Sequence, residues 1–541
     1  MNKTAAMEPI RAAGPQTAGA QQSLNAIALA VILLAAAVLR FQDIAQPLND
    51  MFSWREASTA MMADNFRERS WNIFYPEVSW TGPGPSYQGR EFQIVSYLTA
   101  ILHLVFGWHD WMGRAVAAAF GVWSVFAMHR LTERIWGMAH AHAAALTLAI
   151  MPGAVAIESS FLPDPAMLAL TLTGFWLLLC YLREGPLRLP VLAAVLTGLG
   201  IMAKLPGIAV LFPMGFAALA VPYAMGTLTW GRLTLLLAAG LCVLAMVSGY
   251  YSWAVYLGKT YPPYHIAGTG YIWDDGIAAL VNRGFYLADA WGTASAWLFT
   301  LPILGLAALG LVAGPPSSRE TPARPERWLF HVWLAGFAML YIAAAREITA
   351  NPWNFLILMP PAAAFAGRGM MTVWSLAGRS GAVAWPAARI GAVILLVLVL
   401  GTAPGVEAVK TPYASNSVAL GERLAQLSKP SELVVTVARQ VGDPVAIYYS
   451  RRRGWVFPPG GGARDWSRFA DDQDQAIAEL EDLRRQGATW FGAVRDARDG
   501  SKRRFDVHHQ PLIAYLDRTA ERAVDDGRLL IYRLKKTPAQ E

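Results

Sequence analysis

The chain has 541 residues, of which 55% are apolar and only 15% charged, with 21 Trp and 18 Met. Such a composition excludes an ordinary soluble enzyme and a disordered chain and places the protein in a membrane. The net charge of +7 comes without a basic stripe, a zinc spacing or an RNA-binding signature, so no nucleic acid partner is expected and the cations fit loops on the cytoplasmic side.

Lys3 and Arg11 precede an apolar run from Leu24 to Leu39. No small-residue cleavage site follows it, so the run is expected to remain as an anchor behind a cytoplasmic tail of residues 1–23. A helix needs about 20 mostly apolar residues to cross the hydrocarbon core. Eleven such spans are expected, at 24–41, 111–129, 140–157, 165–182, 189–203, 205–223, 233–252, 294–313, 328–345, 353–374 and 388–405. The fold predicted is thus a polytopic α-helical membrane protein with about 11 transmembrane helices over residues 24–405. Cys180 and Cys242 both fall inside spans, which leaves neither a disulfide framework nor a cysteine metal site.

An odd number of spans puts the termini on opposite sides. The short loops on the N-terminal side carry Arg130, Arg134, Arg183, Arg188, Arg232, Arg319, Arg324, Arg327, Arg368, Arg379 and Arg389. The positive-inside rule then sets the N-terminus in the cytoplasm of a cell whose cytoplasmic (inner) membrane holds the chain, with the C-terminal domain outside. Phe92 to Phe106 is apolar, but it is only about 15 residues long and carries Gln93, Ser96 and His103, so it is expected to lie in the interface. Were it to cross, Glu56 and Asp164 would fall on opposite faces.

The first outer loop, 42–110, contains an acidic and aromatic stretch from Asp43 to Glu91 that fits chemistry at the membrane surface. Ser53-Trp54-Arg55-Glu56 opens a helical pattern, and its bland explanation is a capping box with Ser53 as N-cap and Glu56 as its reciprocal partner. Pro163-Asp164-Pro165 precedes the fourth span, where Asp164 could simply cap the helix and Pro165 fill its first position. Lys204, in the break Lys204-Leu205-Pro206-Gly207, could be an ordinary snorkelling lysine. Under the eleven-span arrangement these residues share the outer face with Lys259, Asp274, Asp275 and Arg346. Carboxylates and cations at one membrane level suit an amphipathic phosphorylated substrate: cations hold the phosphate as it leaves, and a carboxylate takes a proton from the incoming nucleophile.

The order of these features resembles the type C glycosyltransferases, in particular the bacterial branch of family 39 with aminoarabinose transferases and relatives of protein O-mannosyltransferases. The matching pieces are Trp54-Arg55-Glu56-Ala57-Ser58-Thr59-Ala60, Glu91-Phe92, Arg114, Leu162-Pro163-Asp164-Pro165 and Ala203-Lys204-Leu205-Pro206-Gly207, over residues 25 to 370. The resemblance implies transfer of a sugar, with inversion, from a polyprenyl phosphate-linked donor to a lipid, glycan or protein acceptor at the outer membrane face. Where the family has an Asp-Glu pair this chain has Arg55-Glu56. The resemblance therefore points to Glu56 as the first-loop carboxylate, general base or acceptor-orienting group, with Asp50 as fallback, and to Asp164 as the second-loop acid that orients the acceptor or helps bind a metal. Lys204 matches a lysine facing the carrier phosphate, and Arg346 and Arg55 are further candidates for that role. No cofactor is assigned, and two acids without a third ligand leave a divalent metal undecided.

From Val406 to Glu541 charges of both signs recur every few residues, as in a water-soluble domain. Glu432–Ala438, Val445–Tyr449, Gly454–Phe457, Ala488–Val494 and Arg528–Leu534 read as strands and Gln475–Gln486 as an amphipathic helix, which together predict a small C-terminal α/β domain for support or acceptor recognition. Pro458 to Gly462 lacks the Lys-Ser/Thr ending of a phosphate loop. A transporter or flippase, or a non-catalytic envelope assembly protein, is the alternative class. Against the transporter stand the absence of a visible internal repeat and the placement of the notable charges at span ends, whereas Arg55 in place of the family Asp favours the assembly protein.

Overall fold

The computed structural model describes residues 15–266, 278–316, 324–379, 384–459 and 468–535. Asp274, Asp275, Arg319 and Gly460 to Gly462 lie outside them. Among the described residues seven helices are long and apolar enough to cross a membrane, from Gly19–Phe41 and Trp111–Trp136 through Pro352–Leu376, and two bent helix pairs bring the number to nine. The two further expected spans coincide with the shorter helix Arg188–Ala203 and with Ala384–Lys410. The protein is thus a multi-pass membrane protein. The single helix expected at 294–313 is instead a pair, Gly284–Leu298 and Thr300–Val312, bent by 108°. Thr300 adopts φ +65° at the break, a conformation that no helix interior accommodates.

Ile94–Phe106 is a helix of 13 residues, ~20 Å long at 1.5 Å per residue, well short of the hydrocarbon thickness. Its faces differ: Val95, Thr99 and His103 are buried, whereas Leu104, Val105 and Phe106 are exposed. That division suits a helix lying in the interface.

The bundle centres on Asp164–Glu184, which packs against Trp111–Trp136 on one side and Arg188–Ala203 on the other. Helix approach is closest where side chains are smallest. A Cβ on Gly310 would lie 1.8 Å from the Phe365 carbonyl oxygen and one on Gly369 would lie 2.1 Å from that of Leu306, so Thr300–Val312 and Met359–Arg379 meet backbone to backbone.

The C-terminal region folds around a five-stranded sheet of β1 (Leu433–Val437), β2 (Gly454–Val456), β3 (Ala488–Val494), β4 (Ala520–Asp525) and β5 (Leu529–Leu534), in the order β2-β1-β3-β5-β4. The β1–β2 and β1–β3 pairs are parallel, and β5 runs antiparallel to both β3 and β4. Val445–Ser450, expected as a strand, is a helix. The reason is local: Asp443 Oδ1 accepts the Val445 N–H at 2.9 Å and Pro444 precedes the first turn, which is helix-start chemistry. Strand β4 escaped notice because Glu521 and Arg522 sit on an exposed edge without a buried face.

The free edge of β2 is covered by residues 77–84 of the 42–110 segment. Gly454 donates to the Ser79 carbonyl at 3.1 Å and accepts from Gly82 N–H at 2.7 Å. Arg453 bonds Glu77 Oε1 at 2.8 Å and the Gly84 carbonyl at 2.7 Å, and the Tyr448 hydroxyl donates to Asp110 at 2.7 Å. The C-terminal sheet region is thus fastened to the segment that also carries Arg55, Glu56 and Glu91.

Candidate active site

Two buried charge clusters flank residues 159–163, the second outer loop of the arrangement expected from the sequence. The first forms around Arg114, near the start of Trp111–Trp136. Its guanidinium donates to Glu56 Oε1 at 2.8 Å and Oε2 at 2.6 Å, to Asp50 Oδ2 at 2.9 Å and to the Gln46 carbonyl at 2.7 Å. Glu56 Oε1 also accepts the backbone N–H of Phe161 at 2.8 Å. Lys410 closes the cluster by donating to Asp50 Oδ2 at 3.2 Å, Ser160 Oγ at 2.7 Å and the Ser159 carbonyl at 3.3 Å.

Burial alone would push both carboxyls up. For Glu56 the bidentate Arg114 contact overrides it, together with Lys410 and the Phe161 N–H, and holds the carboxyl at about 2. Asp50 goes the other way: burial and the neighbouring Glu56 charge raise it against the pull of Lys410 and Arg114. The pair therefore keeps Glu56 ionised and leaves Asp50 as the site that binds a proton first.

The expected capping box does not form. The N-cap of Ser53–Glu68 is Phe52, with no side-chain cap, and the Glu56 carboxylate points to Arg114 rather than back along its own helix. Ser53 is instead the first helical residue, and Asp50 Oδ1 accepts the Phe52 N–H at 2.9 Å.

The second cluster gathers Arg55, Glu91, Asp164 and Lys204. Lys204 sits at the junction of Arg188–Ala203 and the 3-10 turn Leu205–Val210, in extended backbone. It is buried rather than snorkelling, with Nζ 2.8 Å from Glu91 Oε1, 3.9 Å from Asp164 Oδ2 and 5.9 Å from the ring centre of Trp353. Arg55 forms an ion pair with the other Glu91 oxygen. Against the upward push of burial, Arg55, Lys204 and Arg90 hold the Glu91 carboxyl well below the usual carboxylate range.

Asp164 is the first residue of its helix, with Pro163 in the cap position. It is fully buried, yet neither carboxylate oxygen has a hydrogen-bond partner among the described residues. A buried polar group so placed costs stability unless something satisfies it, and the Lys204 ammonium at 3.9 Å is the charge nearest to hand. The Asp164 carboxylate thus faces the Lys204 ammonium without a hydrogen-bond donor among the described residues, whereas that of Glu56 is held by Arg114 and the Phe161 N–H.

Of the residues singled out from sequence, Asp164, Lys204 and Arg55 meet in one cluster and Glu56 stands in the other. Arg346 is exposed on Leu329–Ala350, just past a kink at Ala344. Glu91 was recognised only as the opening of the interfacial helix, Arg114 only as a family-like position, and Lys410 not at all. The signal for Glu91 was an acid bound directly to the N-terminal side of an apolar run. Among the described residues no group of three His, Cys, Asp or Glu side chains is placed to hold a metal ion, and the space between Glu91 and Asp164 is taken by the Lys204 ammonium.

Residues 93–253 match the family model described as dolichyl-phosphate-mannose-protein mannosyltransferase. YycA of Bacillus subtilis (strain 168), a mannosyltransferase by name, is 30% identical over 178 residues, which are 33% of this chain and 25% of that relative's length. The fold is similar to that of ArnT from Cupriavidus metallidurans bound to undecaprenyl phosphate, with a TM-score of 0.58 at 14% identity, covering 93% of this chain and 97% of that one. It is similar too to the archaeal oligosaccharyltransferase AglB from Archaeoglobus fulgidus in complex with an inhibitory peptide and a dolichol-phosphate, with a TM-score of 0.58 at 13% identity over 88% of this chain and 70% of that one. The chain thus has the type C glycosyltransferase fold, with a mannosyltransferase-family sequence signature over residues 93–253.

Proposed function

We propose that the protein is a membrane glycosyltransferase that moves a sugar from a polyprenyl phosphate-linked donor to a lipid, glycan or protein acceptor at the outer face of the cytoplasmic membrane. The observation that carries this reading is the buried Asp164 carboxylate, without a hydrogen-bond donor among the described residues and 3.9 Å from the Lys204 ammonium. Lys204, with Arg55 beside it, is the ligand for the donor phosphate, and Arg346 is the outermost cation on its path. In the reaction the acceptor hydroxyl oxygen attacks the anomeric carbon from the face opposite the phosphate, which inverts it. The carbon–oxygen bond to the phosphate breaks, and polyprenyl phosphate leaves with the electron pair while Lys204 and Arg55 stabilise its charge. Asp164 orients the hydroxyl and takes its proton. Glu56 acts as a positioning residue that holds the second outer loop through Phe161. The N-terminus lies in the cytoplasm and the C-terminal domain outside.

The test compares surface glycans and polyprenyl phosphate sugars in wild-type and deletion cells. Loss of one glycan decoration with its carrier-linked donor accumulating on the outer leaflet is expected. Donor trapped on the inner leaflet, or unchanged glycans, contradicts the reading.

A further inference from the structure

At the opposite end of the bundle from Asp164 a cavity of about 710 Å³ opens between the ends of five helical segments. Arg183 lies there at the far end of the helix that Asp164 begins, ~28 Å away at 1.5 Å per residue. Three arginines line the cavity, Arg134, Arg183 and Arg324, and Glu326 is the one acidic residue of its lining. Glu326 is engaged by Arg183, Nε to Oε1 3.5 Å, and Arg183 also donates to the Arg134 carbonyl at 2.8 Å. Among the described residues no carboxylate pairs with Arg134 or Arg324. The cavity therefore holds an excess of positive charge in a partly desolvated setting, where a counter-anion is strongly favoured.

Its walls are not uniformly polar. Leu189, Val221 and Met225 supply an apolar side. Tyr223 and Trp230, 78% and 85% exposed, stand beside it in the chain, as aromatic side chains do at the level of lipid headgroups. A water-borne anion would use the arginines but gain nothing from that apolar wall. An anionic lipid uses both, with its phosphate among the arginines and its chains along the apolar side.

We infer that the Arg134–Arg183–Arg324 cavity is a phosphate site that takes the headgroup of an anionic phospholipid. It is separate from the donor-phosphate site at Lys204, and the inference does not rest on the transfer reaction.

Full-length protein in nanodiscs of phosphatidylcholine with increasing phosphatidylglycerol, followed by native mass spectrometry of retained lipid, tests it; sn-glycerol 3-phosphate added in water forms the soluble arm. Phosphatidylglycerol is expected to be retained over phosphatidylcholine on the wild type. The Arg134→Ala/Arg324→Ala pair should weaken retention about tenfold, with partial recovery in Arg134→Lys/Arg324→Lys and no change in Arg188→Ala. Equal retention of the two lipids on the wild type, which needs no variant to fold, overturns the inference. Undiminished retention in the double alanine variant overturns it as well, and so does displacement of phosphatidylglycerol by sn-glycerol 3-phosphate at matched concentration, which would make this a site for a soluble anion.

Discussion

Glu56 Oε1 accepts the backbone N–H of Phe161 at 2.8 Å, joining the first outer loop to the second three residues before Asp164. The carboxylate that sequence order marks for chemistry is thereby a strut for the carboxylate that remains free. Removing it leaves Arg114 buried with one acid fewer, and breaking such a buried pair costs about 3 to 5 kcal/mol. The folded carboxyl sits at about 2 against an ordinary 4.5, so its contribution is complete above about pH 4.5 and is lost as pH falls through about 2. Glu56→Gln should lower the melting temperature by an amount that is constant from about pH 8 to pH 5 and shrinks only below that. A deficit that shrinks between neutrality and pH 6 would contradict the pairing.

Asp50 carries the opposite sign. Its carboxyl is raised by burial and by Glu56, so ionising it opposes folding, and this penalty grows as pH rises above its ordinary 3.8. Asp50→Asn removes that penalty while giving up contacts to Lys410 and Arg114. Its loss of thermal stability at neutral pH should be smaller than that of Glu56→Gln, and a larger loss would reverse the assignment of the proton within the pair.

Lys204 faces the donor phosphate in the proposed reaction. Lys204→Ala should raise the KM for a polyprenyl phosphate sugar at least about tenfold, and Lys204→Arg should recover part of it because the charge returns with different geometry. Kinetics of membranes carrying each variant decide the matter, and an unchanged KM in Lys204→Ala would remove the lysine from the phosphate site.

Gly89 brings the Arg90-Glu91 segment against the Trp230–Thr260 helix. A Cβ there would lie 2.1 Å from the Ala254 carbonyl oxygen and 2.6 Å from the Gly258 nitrogen, both backbone atoms that cannot move independently. Gly89→Ala should displace Glu91 and abolish transfer, and the membrane content of the variant distinguishes a misplaced site from an unfolded chain. Wild-type activity would contradict the close approach.

The C-terminal domain is joined to the 77–84 segment chiefly through Arg453 and the β2 edge. Arg453→Ala removes the contacts to Glu77 and Gly84 and should open the 77–84 segment to limited proteolysis without unfolding the sheet. Unaltered protection of that segment would show that the β2 edge alone holds it.

Much of this architecture was legible because hydrophobic length is a direct physical signal in lipid: each of the eleven expected spans contains a helix, and the short Phe92 to Phe106 run is the 13-residue Ile94–Phe106 helix. Asp164 and Lys204 were legible because charge at a span end is costly and therefore conspicuous. Partnership was not. Arg55 was expected at the phosphate and is there joined to Glu91, 36 residues on in the chain, and nothing local in the sequence announces which acid a buried arginine meets. Glu56 reads locally as a cap, and only the placement of Arg114 from another helix turns it away. At Val445 the β-branched and aromatic run outweighed the Asp443-Pro444 start signal, and in the structure the start signal prevails.

The most direct measurement is the carrier-linked donor and surface glycan profile of deletion cells complemented with Asp164→Asn, present in the membrane at the wild-type level. Among the described residues Asp164 has no hydrogen-bond partner that asparagine would lose, only a 3.9 Å ion pair with Lys204, so the variant should fold while transfer falls more than about hundredfold. Loss of the decoration with accumulation of its donor on the outer leaflet is the predicted result; full decoration of the surface glycan would contradict the account.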